Sequence, residues 1–193
     1  MRSLSVGLLL VLLAVNPMRA SALEIAGIKL DDSATLRAGG TPLLLNGAGV
    51  RTRLLFKVYV GALYLQTKTN DEAAVLAEAS EKRLALHMLR ELSADQFLSA
   101  IQDGLNANND KAELTPLQDR LATFYDVIRA IPSVHKGDVI LLDYRPDSGT
   151  QVTVNGSAKG VVAGADFNRA LLKIWLGPKP VDNQLKKGLL GGH

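Results

Sequence analysis

No cysteine occurs among the 193 residues, which excludes disulfide bonds, thiolate metal sites and thiol catalysis. The three histidines, His87, His135 and His193, have none of the short spacings typical of metal-binding helices. The sequence also lacks a P-loop, a G-x-S-x-G nucleophile motif and a glycine pattern that leads from a strand into a helix. These absences predict a protein without a metal, without a cofactor and without a catalytic residue of a familiar motif.

No apolar segment of the chain reaches the length of a membrane-spanning helix. The longest, at residues 4–15, is about a dozen residues, whereas a membrane-spanning helix needs roughly 20. Arg2 precedes this run, and Ala20-Ser21-Ala22 follows it with the small residues that a signal peptidase requires. The pattern predicts a signal peptide over residues 1–22, cleaved after Ala22, and one domain over residues 23–193. We therefore expect a periplasmic or secreted protein without permanent membrane insertion, and an uncleaved anchor is the alternative.

The expected mature domain has almost no net charge. The whole chain carries 22 basic and 19 acidic side chains, for a formal net charge of +3. Removal of residues 1–22 takes away Arg2 and Arg19 and no acid, which leaves 20 basic against 19 acidic side chains. A domain so close to neutral has no bulk electrostatic attraction to nucleic acid or to an anionic membrane, so nucleic-acid binding is not expected.

What is present is a regular succession of strand and helix patterns in a composition typical of globular proteins, with 47% hydrophobic residues. The stretch "GDVILLDYRPDSGTQVTVNGSAKGVV" alternates strands with tight turns, and its Asn155-Gly156 pair is a strong hairpin signal. Ser93 is a helix cap, followed by Phe97, Ile101 and Leu105 at every fourth position. Other predicted elements are strands at 23–30, 50–65 and 82–91 and helices at 69–80, 115–131, 166–176 and 181–190. Strands and helices are segregated, which predicts an α+β fold: an antiparallel sheet with helices packed on one face.

The segment "NGAGVRTRLLFKVYVGALYL", residues 46–65, places cations and tyrosines in an otherwise apolar β-run. If it is one strand, Arg51, Arg53, Lys57 and Tyr59 share one face, and residues 54, 56, 58, 60, 62 and 64 form an apolar face that should meet the helices. The polar face is either solvated or the wall of a pocket. In a straight strand Arg51 and Tyr59 lie about 27 Å apart, so they converge only if the chain folds back near residues 54–56, where no Gly or Asn marks a turn.

Several segments together resemble the chalcone isomerase family and its non-catalytic relatives. The segments are "GAGVR", "KVYVGALYL", "RLALHMLRELSADQFLSAI", "QVTVNGSAKGVV" and "DFNRALLKIWLGPKPVDNQLKKGLLG". They occur in the family's order and span about residues 43–191. The resemblance is to bacterial secreted chalcone isomerase-like proteins, and it implies the family's open-faced sandwich of sheet and helices.

Chalcone isomerases close a flavanone ring by intramolecular addition of a phenolate to an enone, with an arginine, a threonine, a tyrosine, a lysine and an asparagine in their catalytic set. The resemblance matches Arg51 to the arginine, and puts Tyr59 at the threonine position, as in the family's fatty-acid-binding members. Counting along the helix from Ser93 puts the catalytic tyrosine near Asn108. The resemblance therefore implies no catalytic residues and a ligand-binding pair, Arg51 and Tyr59, with Arg53 at the solvated end of the strand.

These observations support three hypotheses. The first is an exported, non-catalytic domain that binds an amphipathic small molecule such as a fatty acid, because a guanidinium and a phenol together suit a carboxylate. The second is an enzyme, an intramolecular lyase or isomerase acting on a chalcone-like or other enone substrate. The third is an envelope protein-interaction module. The oligomeric state and the identity of the ligand do not follow from the sequence.

Overall fold

A seven-stranded antiparallel sheet forms the centre of the computed structural model, which describes residues 23–77 and 79–192. The predicted signal peptide lies outside the described residues. The strands are β1 (Leu23–Ile25), β2 (Ile28–Leu30), β3 (Ser33–Ala34), β4 (Leu43–Arg53), β5 (Phe56–Leu65), β6 (Lys82–Met88), β7 (Leu92–Ser93), β8 (Ser133–Val134), β9 (Val139–Arg145), β10 (Gly149–Val154) and β11 (Ser157–Val162). The main sheet has the order β11-β10-β9-β6-β5-β4-β3, and β1-β2 and β7-β8 form two small additional pairs.

Six α-helices lie within the described residues. They are α1 (Glu72–Ala77), α2 (Ala94–Asn108), α3 (Lys111–Leu114), α4 (Gln118–Arg129), α5 (Ala165–Leu176) and α6 (Asn183–Leu189), with a 3₁₀ turn at Thr115–Leu117 between α3 and α4. Side-chain caps mark the starts of α2, α3 and α6. Ser93 caps α2 in a capping box with Gln96, which confirms the predicted cap. The helix predicted at 181–190 is shorter, because Asp182 is its N-cap and accepts from the amides of Gln184 and Leu185.

The main core lies between one face of the sheet and the helices, as the predicted α+β fold requires. On the sheet side it contains Leu84 and Leu86 of β6, and on the helix side Phe97 of α2, Phe124 of α4 and Phe167 of α5. The predicted Asn155-Gly156 turn joins β10 to β11, with both residues at positive φ (49° and 78°) as a type I′ turn requires. No helix within residues 23–77 and 79–192 is long and apolar enough to cross a bilayer.

The single strand predicted at 50–65 is wrong: two antiparallel strands, β4 and β5, occupy this region. They are joined at Leu54 and Leu55, and Leu54 adopts φ of +57° although it is not a glycine. The turn places the cations of the segment on two strands, so one alternation cannot describe the whole segment.

The assignment of faces in β5 is also wrong, because both faces of this strand are buried and the face that carries Tyr59 meets the helices. Tyr59, Leu63 and Leu65 of β5 belong to the core that meets the helices. Val60, Ala62 and Tyr64 belong to a second cluster on the opposite face of the sheet. The hairpin of β1 and β2 covers that face with Leu23, Ile25, Ile28 and Leu30.

Candidate functional site

Arg51 and Tyr59 lie side by side, as direct register partners across β4 and β5. The pairing shifts by one residue immediately after Arg51, which is a β-bulge in β5 at the site. The Arg51 guanidinium carbon lies 5.6 Å from the centroid of the Tyr59 ring, within the range of a cation–π contact. The turn near residues 54–56 therefore brings together Arg51 and Tyr59, the two residues that were predicted to bind a ligand.

The Tyr59 hydroxyl is buried beneath helix α5. Trp175 of α5 donates its indole N–H to this oxygen at 2.7 Å, and both side chains are only 3% exposed. Burial raises the pKa of Tyr59 to about 12, although the nearby Arg51 charge and the Trp175 hydrogen bond act in the opposite direction. Tyr59 is consequently a neutral phenol at physiological pH, whose oxygen accepts from Trp175 and whose proton remains available for a hydrogen bond.

Arg51 is the incompletely paired member of the site. Its Nε atom is buried and has no hydrogen-bond partner. Asp182 is close enough to raise the pKa of Tyr59, but its carboxylate already accepts from the amides of Thr52, Gln184 and Leu185. Because a buried guanidinium nitrogen normally has an acceptor, Arg51 can bind a further anion.

Two spaces meet at this arginine. An inner cavity of about 20 Å³, large enough for one water molecule, is lined by Arg51, Tyr59, Phe97, Ile174 and Trp175, among others. An outer groove of about 510 Å³ opens between the β4–β5 turn and α2, within the size range of small-molecule sites. Its lining includes Arg51, Arg53, Phe56, Val58, Arg90 and Leu92. An acyl chain does not fit in the inner cavity as it stands, but it can lie along the groove.

Arg53 is not separate from this site. Its side chain is exposed, as predicted, but it lines the same groove as Arg51. The predicted solvent exposure of Arg53 is therefore confirmed, but the residue also belongs to the lining of the groove that contains Arg51.

Asn108 lies outside the site. Its amide nitrogen donates to the carbonyls of Gly104 and Lys179, at 2.9 and 2.8 Å, and its oxygen accepts from the Lys179 amide at 2.8 Å. These bonds hold the end of α2 against the loop between α5 and α6. The α2 side chains that line the inner cavity are Phe97, Ala100 and Ile101, and Asn108 lines neither this cavity nor the groove. None of these three carries a hydroxyl group.

A larger hollow, about 630 Å³, lies at the other end of β4. Both polar atoms of its most buried polar residue, Asn46, have partners: the amide nitrogen donates to the Leu189 carbonyl and the oxygen accepts from the Thr69 amide. The described residues also contain no group of three or more His, Asp or Glu that could hold a metal ion. The groove at Arg51 is therefore the better candidate, because it combines space with a buried donor that has no partner.

Trp175 and the groove residues Phe56 and Arg90 are the members that sequence reasoning did not assign to the site. Arg90 follows β6 and lies over the Phe56 ring at 5.1 Å. A single tryptophan in an amphipathic helix could have been noticed, but its contact with Tyr59 depends on how α5 packs across the sheet.

The antiparallel sheet with helices on one face and an arginine–tyrosine pair between them defines an α+β sandwich. A sequence model described as chalcone isomerase-like matches residues 22–191. The chain belongs to the chalcone isomerase-like family.

A solved structure agrees with this assignment. The chain is similar to the crystal structure of a fatty-acid binding protein from Arabidopsis thaliana, with a TM-score of 0.61 and 15% sequence identity. The match covers 82% of this chain and 95% of the Arabidopsis chain. At this identity the similarity establishes the fold alone. Comparison with curated proteins found no match.

Proposed function

We propose that this protein binds an amphipathic carboxylate such as a fatty acid, with the head group on Arg51 and Tyr59, and that it is not an enzyme. The observation that carries the proposal is the buried Arg51 Nε without a partner, at the inner end of a groove about 510 Å³ in volume. A carboxylate would supply the missing acceptor at Arg51, and the Tyr59 hydroxyl, which lines the one-water inner cavity rather than the groove, would add a neutral donor through a water held there. The fatty-acid binding protein with the same fold supports this choice of ligand class.

The tail would lie in the groove rather than in the inner cavity. Val58 and Leu92 supply apolar surface there, and Phe56 extends it toward the turn. Asp95 and Asp103 line the same groove, so the carboxylate is expected at Arg51, beside the aromatic residues, rather than along α2.

The main test is substitution of Arg51. Loss of a charge-assisted bidentate contact typically costs about 1.5 to 3 kcal/mol, so Arg51→Ala should weaken fatty-acid binding by roughly ten- to hundredfold. Tyr59→Phe removes a neutral donor and should cost only about 0.5 to 1.5 kcal/mol. Displacement of a fluorescent fatty-acid analogue measures both, and Trp175 emission provides an independent signal, because this residue contacts Tyr59.

Arg129→Ala is the matched control, since Arg129 is exposed on α4 and forms a surface ion pair with Asp126. Binding by the wild-type protein that Arg51→Ala leaves unchanged would place the ligand elsewhere. Absence of binding by the wild-type protein, for fatty acids of several chain lengths, would remove the proposal itself.

An isomerase is the second candidate, because Arg51 and the proton of Tyr59 are two donors that could stabilise an enolate. We expect no appreciable acceleration of naringenin chalcone cyclisation. The α2 residues that line the inner cavity, Phe97, Ala100 and Ile101, provide no further hydroxyl donor, and one such donor is typically worth about 3 to 4 kcal/mol in the transition state. An absorbance assay that gave kcat/KM above about 10⁴ M⁻¹s⁻¹ would favour the enzyme instead.

We also propose that the protein functions outside the cytoplasm, in a periplasm or after secretion, with a mature N-terminus at Leu23. The basis is the Arg2, residues 4–15 and Ala20-Ser21-Ala22 pattern. N-terminal sequencing of protein recovered from the periplasm of a bacterial host should begin at Leu23. Recovery with residues 1–22 intact would contradict cleavage and favour an anchored form.

A further inference from the structure

The turn between β4 and β5 exposes three consecutive large apolar side chains. Leu54, Leu55 and Phe56 are 87%, 94% and 59% exposed. The other large apolar residues exposed in the described part of the chain, Leu44 and Val161, are isolated and less accessible, at 42% and 48%. Single exposed apolar residues are normal in proteins, but a contiguous apolar tip is a feature of contact surfaces.

The backbone at this tip also departs from local preference. Leu54 has φ of +57°, at the first position of a two-residue hairpin turn. Glycine and asparagine are the residues usually found at positive φ in such turns, and a leucine there costs conformational energy. The chain thus has a large apolar side chain where a small residue would fold more easily and dissolve better, which indicates a role for the side chain itself.

Cations surround the apolar tip. Arg53 and Lys57 flank it on the two strands and are exposed, and the guanidinium of Arg90 lies over the Phe56 ring. None of the three forms an ion pair with a carboxylate of the described residues. An apolar tip within a group of unpaired cations is the arrangement that anchors peripheral proteins to anionic lipid.

From these observations we propose that the β4–β5 turn docks on an anionic lipid bilayer, with Leu54, Leu55 and Phe56 in the boundary between head groups and acyl chains and the three cations at the lipid phosphates. Each cation near such a surface typically strengthens attachment by about fivefold. The near-neutral charge of the expected mature domain does not oppose this, because the attraction is local to the tip.

Docking would also orient the groove. Arg53, Leu54, Phe56 and Arg90 belong both to the tip and to the groove lining, so the groove opens toward the surface on which the tip sits. If the proposed carboxylate binding is correct, an amphipathic ligand could pass between bilayer and groove without crossing water. That consequence rests on the proposed function, whereas docking itself does not.

The experiment uses the absence of cysteine in the chain. Leu55→Cys, labelled with an environment-sensitive fluorophore, reports insertion at the tip, and Val161→Cys on the edge strand β11, at the opposite side of the sheet, is the matched control. Both proteins are mixed with vesicles of phosphatidylcholine alone or with added phosphatidylglycerol. Because the label reports its own surroundings, residues 1–22 cannot produce the difference between the two positions.

We expect a blue shift at position 55 on anionic vesicles and none at position 161. Arg53→Gln with Lys57→Gln should reduce partition to these vesicles by about tenfold or more, and Leu55→Asp should abolish it. Leu55 is outside the groove, so Leu55→Asp should keep its affinity for a soluble fatty acid, and failure of docking can be distinguished from failure of ligand binding. Equal shifts at both positions, no shift on anionic vesicles, or a concentration-dependent shift without lipid that reports self-association would each overturn the proposal.

Discussion

Gly47→Ala is expected to lower the free energy of unfolding by about 3 kcal/mol or more, because α6 packs directly on the backbone of β4 at this residue. A methyl group on Gly47 would overlap the carbonyl oxygen of Gly188. It would also lie 2.7 Å from the amide nitrogen of Gly191 and 2.8 Å from the carbonyl oxygen of Leu189. All three are backbone atoms, so no side-chain rotation can relieve the overlap.

The alternative to overlap is displacement of α6, which is also costly. Leu185 and Leu189 on α6 are fully buried, with 0% and 1% exposure, and the Asn46 amide donates to the Leu189 carbonyl at 2.7 Å. The approach is reciprocal, since a methyl group on Gly188 would lie 2.5 Å from the Ala48 carbonyl oxygen. Glycines on both β4 and α6 therefore determine how closely α6 packs on the sheet.

Gly49→Ala is the matched control, two residues further along β4. A methyl group there meets the Leu185 Cα at 3.3 Å and its Cδ1 at 3.4 Å, distances that a small shift can accommodate. We expect its free energy of unfolding to change by about 1 kcal/mol or less. Urea denaturation of both variants measures the difference. Equal losses would mean that the helix tolerates displacement and that the close approach at Gly47 is not what positions it.

Much of the fold follows from local sequence signals. The Asn155-Gly156 turn requires positive φ at two positions, and Asn and Gly are the residues that adopt it most readily, so the hairpin could be predicted from two letters. Ser93 with Gln96 likewise determines the start of α2 through a local pair of hydrogen bonds. Both features depend on neighbours along the chain, which is why they are visible without a structure.

The turn at Leu54 shows where this reasoning fails. Leucine is a strong strand and helix residue, and neither Leu54 nor Leu55 carries a turn signal. The fold-back is imposed by long-range pairing, because β4 and β5 pair along most of their length and β6 pairs with β5 on its other side. The free energy of that pairing outweighs the local preference at one residue.

The candidate site has one property that could be predicted from the sequence, its residue types, and one that could not, its geometry. Arg51 and Tyr59 were identifiable because cations and phenols are unusual in an apolar β-run. Their adjacency was not, since it depends on the unmarked turn, and the contact of Tyr59 with Trp175 joins residues that are 116 positions apart. Residue types pointed to the chemistry of the site, whereas its geometry depended on the packing of α5 over β5.

A second large effect is expected at alkaline pH. The pKa of Tyr59 is raised from 10.0 to about 12 in the folded protein, so between these values the unfolded chain releases a proton that the folded protein retains. The folded state then binds more protons than the unfolded state, and stability falls as pH rises from about 10 to 12. A shift of this size corresponds to a loss of up to about 3 kcal/mol, with no contribution from Tyr59 below pH 10.

Tyr59→Phe separates this effect from other alkaline changes. At neutral pH the variant should be less stable by about 1 to 3 kcal/mol, because the buried Trp175 indole N–H loses its acceptor. Above pH 10 its stability should decline less steeply than that of the wild type, so the two curves converge.

Tyr125→Phe is the control, since burial also raises the pKa of Tyr125 but this residue is only half-buried and lies away from the site. Urea denaturation across the alkaline range, together with near-ultraviolet absorbance of tyrosinate, measures both quantities. If the two variants decline in parallel with the wild type, or if a folded-state tyrosine lost in Tyr59→Phe titrates near pH 10, Tyr59 is not the buried phenol on which the proposed site depends.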